Sequence, residues 1–218
     1  MEDFYNYLNV PEKTTLPPMT NQVWHDDPKR LLFTLSRYKF AARMLTGCAE
    51  VAEVGCGDGF GARLVMQAGC KVDLYDKNVR FINGINGNVF IAPKWRQAQA
   101  KEWDILFAPL PRAYDGVYSL DVMEHIPPAE EKKYLGNIHA SLRGGGRFIV
   151  GMPSLESQAY ASPQSRAGHV NCKTGEDLRA VLRRYWPDVL LFSMNDEVVH
   201  TGFMPMAHYL FAVCTGRL

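Results

Sequence analysis

The sequence predicts an α/β fold built on a doubly wound, mostly parallel sheet. A short apolar segment, 51–54, ends abruptly at a glycine-rich turn, 55–61, and helix-forming residues follow from Ala62. A strand, a glycine turn and a helix in this order open a doubly wound nucleotide-binding sheet, in which ligands bind outside the carboxyl ends of the strands. Strand-like and helix-like segments alternate farther along the chain, and segments 189–194 and 209–214 predict a closing antiparallel pair.

Two regions are predicted: an N-terminal arm or lid, residues 1–27, and one α/β domain, residues 28–218. The arm is rich in proline, asparagine and aromatic residues and predicts little regular structure, with a frayed terminus as the alternative. Pro28 opens the first helix, because proline is well tolerated at the first helical position. The apolar spacing continues this helix to near Gly47.

The middle of the chain keeps the alternation of strands and helices. Thr174 is the predicted N-cap of a late helix, because its hydroxyl can accept a hydrogen bond from a free amide of the first turn. The predicted elements are a strand at 71–75, an extra strand at 89–92, a third strand that ends at 103–106, a strand at 114–120, a helix at 129–142, a strand at 147–153, a loop or short helix at 154–170 and a helix at 174–184.

Composition restricts the classes of function. Basic residues (24) and acidic residues (23) nearly balance, so charge gives no support for binding nucleic acid or an anionic membrane. No run of about 18 apolar residues predicts a transmembrane helix, and the N-terminus lacks the pattern of a secretion signal. Five scattered cysteines, an odd number, favour a reducing compartment. The sequence therefore predicts a cytoplasmic protein and leaves its oligomeric state open.

The glycine turn and an acid downstream predict a ligand site. Gly55, Gly57 and Gly59 free the backbone for conformations that a side chain forbids, and let a ligand lie against it. Asp76 follows the second predicted strand, where this fold places an acid that accepts hydrogen bonds from ribose hydroxyls. Dinucleotide sites have the spacing Gly-x-Gly-x-x-Gly, which this turn lacks. Asp58 inside the turn would repel a pyrophosphate but not a zwitterionic amino acid.

Four stretches carry a set of motifs that belong together. They are acid-x-Gly-x-Gly-x-Gly at 53–59, Asp76, the strand and its continuation at 115–126, and Leu-Arg-Gly-Gly-Gly at 142–146. Jointly they resemble the class I S-adenosylmethionine-dependent methyltransferases, and the likeness covers nearly all of the chain. The third stretch is similar to the subgroup that includes the ubiquinone-biosynthesis O-methyltransferases. Arg143 stands where the family usually has proline.

The resemblance implies a Rossmann-like sheet of seven strands with the last one antiparallel. It also implies S-adenosylmethionine as the cofactor, with S-adenosylhomocysteine as its product. Asp76 would hold the ribose hydroxyls, and Asp104 and Ile105 would meet the adenine. The implied cofactor-binding residues are Glu53, Gly55, Cys56, Gly57, Gly59, Asp76, Lys77, Asp104, Ile105, Leu120 and Asp121.

Two histidines are candidates for a catalytic general base. His125 follows the fourth predicted strand, and His169 lies in a stretch that resembles the loop bordering the acceptor pocket in the same subgroup. A structural hydrogen bond is the alternative for each. No metal site is predicted. The alternative is a divalent ion held by Asp121, Glu124 and His125. These residues are similar to the Glu-x-x-Glu-His set that binds magnesium in some ubiquinone-pathway and small-RNA methyltransferases.

Other polar side chains have less specific signals. Arg37 and Lys39 lie off the apolar stripe of the first helix. One interpretation is that both side chains form a solvated face of the helix. The other is that one of them binds a carboxylate of the ligand, because this helix leads directly into the glycine turn. Tyr160 and Arg166 are candidates for lining an acceptor pocket.

The predicted function is transfer of the methyl group of S-adenosylmethionine to a hydroxyl or amine of a small molecule, by direct displacement. Two alternatives remain at this point. One is a nucleotide-dependent oxidoreductase on a similar sheet. The other is a cofactor-binding partner subunit without catalytic activity, which would expose a large apolar patch to its partner.

Overall fold

The computed structural model describes residues 15–87 and 99–216, and these form one sheet of eight strands flanked by helices. The strands lie side by side in the order β3-β2-β1-β4-β5-β8-β6-β7. Their bounds are β1 Glu50–Val54, β2 Lys71–Asp76, β3 Gln99–Glu102, β4 Tyr114–Leu120, β5 Leu142–Pro153, β6 Asp188–Asn195, β7 Val198–His200 and β8 Tyr209–Thr215.

Helices cover both faces of the sheet. Helices α2, α3 and α4 pack on one face, where Leu45, Met66 and Ile85 are buried. Helices α5 and α7 pack on the other face and bury their own Leu135 and Leu182 there. The doubly wound fold class predicted from the sequence is confirmed. The helix bounds are α1 Pro18–Asp26, α2 Pro28–Met44, α3 Ala62–Gln67, α4 Val79–Gly87, α5 Glu131–Ala140, α6 Pro163–Gly168 and α7 Gly175–Leu182.

Strand directions follow the prediction. β1 pairs in parallel with β2 and β4, β2 with β3, and β4 with β5. β8, the last strand of the chain, is antiparallel to both β5 and β6, which confirms the predicted closing pair. The carboxyl ends of the parallel strands therefore meet at one edge of the sheet, where this kind of fold binds its ligands.

Within residues 15–87 and 99–216 there is one strand more than the seven expected. β7 pairs antiparallel with β6 through a two-residue turn, and Asp196 in that turn has φ +51°. Tight hairpin turns require positive φ, and aspartate tolerates it better than most residues. The short strand lies at the edge of the sheet, beside β6.

The N-terminal arm was expected to have little regular structure, and this is wrong for residues 18–26, which form helix α1. Pro18 begins this helix, as proline does favourably at a first helical position. Residues 1–14 and the extra strand expected at 89–92 lie outside the described residues. β5 begins at Leu142 rather than at residue 147, because Leu142 pairs with Tyr114 before the register shifts.

Two predicted helix starts are confirmed by their caps. Asp27 accepts a hydrogen bond from the Lys29 amide (3.2 Å) next to Pro28. Thr174 accepts one from the Asp177 amide (3.1 Å) at the start of α7. Among the described residues no helix combines the length and apolar character that crossing a membrane requires.

Candidate functional site

The glycine turn joins β1 to α3 with three residues in the left-handed region. Gly55, Gly57 and Gly59 have φ of +77°, +53° and +73°, which other residues adopt only with strain. A Cβ on Gly55 would also lie 2.3 Å from Cγ2 of Val122. Gly59 packs against the side chains of Ile85 and Leu74, so it serves close packing rather than an open surface.

One cleft lies beside α4 and is named the α4-side cleft. It has a volume of about 380 Å³, and eight of the predicted site residues line it, among them Asp76, Lys77, Asp104 and Ile105. Aromatic and aliphatic side chains complete its wall, a combination typical of small-ligand sites. Its full lining is Met19, Val54, Gly55, Gly57, Asp76, Lys77, Phe81, Trp103, Asp104, Ile105, Leu106, Asp121, Val122, His125 and Ile126.

Asp76 ties the end of β2 to the glycine turn. Its Oδ2 accepts a hydrogen bond from the Gly57 amide (3.0 Å), and its Oδ1 accepts one from the Asn78 amide (2.8 Å). A carboxylate offers about four acceptor positions, so about two remain for a ligand. The cleft therefore presents acceptors suited to a diol beside the exposed backbone of Gly57.

Glu53 lies behind the turn rather than on either cleft. Its side chain is buried and accepts hydrogen bonds from the hydroxyls of Tyr38 (2.6 Å) and Tyr118 (2.8 Å). Burial, opposed by these two hydrogen bonds, raises the pKa of Glu53 to about 8. Its predicted contact with the cofactor stays a prediction.

A second cleft, the α2-side cleft, has a volume of about 400 Å³. It shares Met19, Gly55, Gly57, Asp121 and His125 with the α4-side cleft, so the two clefts meet at the glycine turn and the end of β4. The other residues that line it are Thr20, Val23, Arg30, Leu31, Thr34, Leu35, Arg37, Tyr38, Cys56, Asp58, Phe60, Gly61, Leu120, Glu124, Pro153, Ser165 and His169.

Asp121 stands at the junction with an unusual backbone. Its φ is +56°, rare for a residue with a side chain, and such outliers cluster at functional sites. Nη1 of Arg37 donates to both of its carboxylate oxygens (2.9 and 2.8 Å). The guanidinium also stacks on the Tyr209 ring, 3.9 Å from its centre, while Nε of Arg37 is buried without a partner. Arg37 thus meets a carboxylate, but one of the protein itself.

Glu124 is a buried acid beside Asp121. Its side chain is 1% exposed, and Oε2 has no hydrogen-bond partner. Burial and the neighbouring Asp121 raise the pKa of Glu124 well above its usual value. A buried oxygen without a partner is costly, so this position points to a ligand, a proton or an ion that satisfies it.

The two predicted histidines lie together at the α2-side cleft. Nδ1 of His125 is 2.8 Å from the carbonyl oxygen of Gly168, and Nδ1 of His169 is 2.8 Å from Oε1 of Gln158. The ring centres are 5.2 Å apart. Burial and His125 lower the pKa of His169. The sequence predicted both residues as candidates, but it did not predict that they lie next to each other.

Glu124, His125 and His169 place possible metal ligands within 4.8 Å of one another. This group differs from the set considered in the sequence analysis, because His169 takes the place of Asp121. Two imidazoles and one carboxylate suit a divalent transition metal better than magnesium, which prefers oxygen ligands.

Helix α1 supplies contacts that the sequence analysis missed. Thr20 donates to Oδ2 of Asp58 through its amide (2.8 Å) and its hydroxyl (2.9 Å), and Met19 lines both clefts. The proline at position 18 was the signal for this helix. Tyr160 and Arg166, candidates for the acceptor pocket, are exposed and line neither cleft, whereas Ser165 between them does.

Comparison with known protein families identifies the family of this chain. The model of the family described as "Methyltransferase domain" matches residues 23–186, well over half of the chain. The chain belongs to this methyltransferase family. Both clefts are built largely from the matched residues. The more specific likeness to the ubiquinone-biosynthesis O-methyltransferases stays a prediction.

Solved structures of methyltransferases share the fold at low sequence identity. The N-methyltransferase NodS from Bradyrhizobium japonicum WM9, in complex with S-adenosylhomocysteine, is 16% identical over 88% of this chain and 90% of its own, with a TM-score of 0.61. A TehB-like methyltransferase from Corynebacterium glutamicum ATCC 13032 Kitasato is 19% identical over 90% and 96%, with a TM-score of 0.63. An O-methyltransferase family protein from Burkholderia thailandensis is 12% identical over 91% and 59%, with a TM-score of 0.65.

Comparison with curated protein sequences finds no match. Family membership and the solved structures identify S-adenosylmethionine as the cofactor of this methyltransferase, with S-adenosylhomocysteine as the product. The residues present fit such a group: Gly57 opens backbone to both clefts, and Asp76 keeps free acceptor positions beside it.

Proposed function

We propose that this methyltransferase transfers its methyl group to a hydroxyl or amine of a small-molecule acceptor in the cytoplasm. The observation that carries the proposal is the junction of the two clefts at Gly57, Asp121 and His125. A donor in the α4-side cleft and an acceptor in the α2-side cleft would be in reach of each other only there. Alignment of two reactants is the main requirement of a direct displacement.

In this proposal the α4-side cleft binds the adenosine half of the cofactor. Asp76 accepts hydrogen bonds from the ribose hydroxyls with its remaining acceptor positions. Asp104 and Ile105 hold the adenine, the acid through the exocyclic amine, and Lys77 borders the same cleft.

The methionine half lies at the junction. Gly55, Cys56, Gly57, Leu120 and Asp121 surround it. Arg37 carries a buried Nε without a partner, a donor available to the cofactor carboxylate. Of the remaining predicted cofactor residues, Glu53 and Gly59 act from behind the turn by fixing its shape.

His125 and His169 are the proposed bases. The cofactor supplies an electrophilic methyl group on a positively charged sulfur, so the chain has to orient the acceptor and accept its proton. Because Nδ1 of His125 faces a carbonyl oxygen, it must carry a proton and donate, which leaves the lone pair on Nε2. Gln158 orients His169 in the same way. Either Nε2 can therefore receive the proton of a hydroxyl or an amine.

The size and charge of the site favour a small acceptor. About 400 Å³ lies in the range of small-molecule pockets, roughly 300–1,000 Å³. The near-balanced charge offers no basic track for a phosphate backbone. The proposal therefore includes neither a nucleic-acid nor a membrane partner. It assigns catalysis to residues 28–218 and gives the segment before them, including α1, the role of a cover.

A metal-assisted variant of the same reaction is the second candidate, favoured by the buried Oε2 of Glu124 without a partner. Glu124, His125 and His169 would hold a divalent cation, which lowers the pKa of a bound acceptor hydroxyl. Titration of Mn²⁺ and Mg²⁺ into protein loaded with S-adenosylhomocysteine separates the two candidates. Saturable heat that Glu124→Gln removes supports the metal, and dilution heat alone excludes it.

The proposed function is tested with the purified protein, labelled S-adenosylmethionine and the small-molecule fraction of a cell extract. S-adenosylhomocysteine should raise the melting temperature, NAD should not, and label should enter one or a few small molecules with an O- or N-methyl group. Binding without any transfer would instead support a non-catalytic partner subunit, and label in RNA or protein would contradict a small-molecule acceptor.

A further inference from the structure

Two carboxylates on the α2-side cleft, Asp121 and Asp58, have partners within the protein. Asp121 is paired with Arg37. Asp58 accepts hydrogen bonds from the amide and hydroxyl of Thr20 and from the Phe60 amide.

The Arg30 side chain, an exposed cation, differs from these two carboxylates. It lines the same cleft from the first turns of α2, and its guanidinium makes no hydrogen bond or ion pair with the residues that the structure describes. Its backbone amide donates to the Asp27 carbonyl oxygen (3.0 Å), and its backbone carbonyl oxygen accepts from the Thr34 hydroxyl (3.0 Å). Its five donor groups therefore remain available to a ligand.

Helix α2 also fixes the distance between this cation and the reaction centre. Arg30 and Arg37 are seven residues apart on the same helix, which corresponds to about 10 Å along its axis. Arg37 contacts Asp121 at the junction of the clefts. Between the two arginines, α2 lines the cleft with Leu31, Thr34 and Leu35, so the wall there is mainly apolar.

We propose that the acceptor carries a carboxylate or phosphate group that binds Arg30, about 10 Å from the atom that receives the methyl group. An apolar or aromatic body lies between the two ends, against Leu31 and Leu35. Planar guanidinium binds both kinds of anion through paired hydrogen bonds. This inference rests on the proposed small-molecule function and narrows its substrate class to anionic amphiphiles.

Binding of simple probes tests the inference without knowledge of the acceptor. Protein loaded with S-adenosylhomocysteine is titrated with octanoate, octyl phosphate and the neutral octanol. Octanoate or octyl phosphate should bind about fivefold to tenfold more tightly than octanol. This is the gain expected from one charge-assisted hydrogen-bond contact with a partly exposed guanidinium. The tighter of the two anions tells a carboxylate acceptor from a phosphate acceptor.

Variants assign the effect to Arg30. Arg30→Ala should remove the preference for the anions, and Arg30→Lys should keep part of it. Lys39→Ala is the matched control, because Lys39 is an exposed cation of the same helix that does not line the cleft. Equal binding of octanoate, octyl phosphate and octanol, or the same loss in Arg30→Ala and Lys39→Ala, overturns the inference.

The labelled product from the extract gives a second readout. It should be retained by an anion exchanger at pH 7, and Arg30→Ala should reduce its formation at least fivefold while S-adenosylhomocysteine still raises the melting temperature. A neutral product overturns the inference but leaves the proposed function standing. Failure of wild-type protein to bind S-adenosylhomocysteine would instead remove the proposed function itself.

Discussion

Two charged clusters lie at opposite ends of the parallel strands, and they differ in how completely their groups are paired. The amino-end cluster consists of Glu50, Asp73, Arg112, Asp115 and Arg143. Arg112 binds Glu50 and Asp73, and Arg143 binds Glu50 and Asp115. Hydrogen bonds from Arg112 and then Arg143 lower the pKa of Glu50 to about 2. These pairs join the starts of β1, β4 and β5 to β2.

The carboxyl-end cluster consists of Arg37, Asp121, Glu124 and Tyr209. Only Arg37 and Asp121 are paired, and Nε of Arg37, Oε2 of Glu124 and the Tyr209 hydroxyl are buried without partners. In the amino-end cluster only Oδ1 of Asp73 is in that state, while its Oδ2 accepts from Arg112 and the Tyr114 hydroxyl. Since unpaired buried groups are costly, the difference indicates that the amino-end cluster stabilises the fold and that the carboxyl-end cluster is arranged to bind a ligand.

The largest expected effect is on catalysis at the carboxyl end. Replacing both His125 and His169 by alanine should lower kcat by about 10²–10⁴-fold, the usual contribution of a positioned base, while affinity for S-adenosylmethionine stays unchanged. Single-turnover kinetics and isothermal titration measure the two quantities. His208→Ala, at an exposed histidine outside both clefts, is the control. A double variant with full kcat would show that neither histidine is a base.

Cofactor binding should change next most strongly. Asp76→Ala removes charge-assisted hydrogen bonds worth about 1.5–3 kcal/mol, so affinity for S-adenosylmethionine should fall roughly 10- to 150-fold. Asp115→Ala is the matched control from the amino-end cluster, because it removes an acid from the opposite end of β4, which is separated from β2 by β1. Titration calorimetry on both variants checks the contrast. Equal losses of affinity would mean that the two ends do not differ in function.

Substitutions in the amino-end cluster should lower the stability of the fold rather than the affinity for the cofactor. Arg112→Ala leaves Asp73, which is buried, with only the Tyr114 hydroxyl as a donor. The free energy of unfolding should drop by about 1–2 kcal/mol, a value reduced from that of a fully buried pair because Arg112 is partly exposed. Chemical denaturation measures it. Arg143→Ala should cost less, since its partners are more exposed, and a loss of cofactor affinity in either variant would contradict a purely structural role.

The contrast between the ends also explains what the sequence could predict. The strand–turn–helix at Gly55 and the acid Asp76 are local signals, and they located the α4-side cleft. Pairings such as Arg37 with Asp121, 84 positions apart, depend on the tertiary fold and have no local signal. The same holds for the approach of His169 to His125. Helix α1 was missed because the helix propensity of nine residues is a weak signal in the sequence. The helix is held in place by a tertiary contact, that of Thr20 with Asp58, which the local sequence does not show.

The last expected effect is a change in how stability depends on pH, and it should come from Glu53, behind the turn. Its folded-state pKa of about 8 lies above the ordinary value of 4.5, so the folded protein binds the extra proton between these values. Its stabilising contribution is therefore full below about pH 4.5 and is lost as the pH rises to 8, with a slope of at most about 1.4 kcal/mol per pH unit. Glu53→Gln resembles the protonated acid and keeps an acceptor for the Tyr38 and Tyr118 hydroxyls. Denaturation between pH 5 and 8 should show a flatter stability profile for this variant than for wild type. Parallel profiles would show that Glu53 is ionised in the folded protein and that the two hydroxyls outweigh its burial.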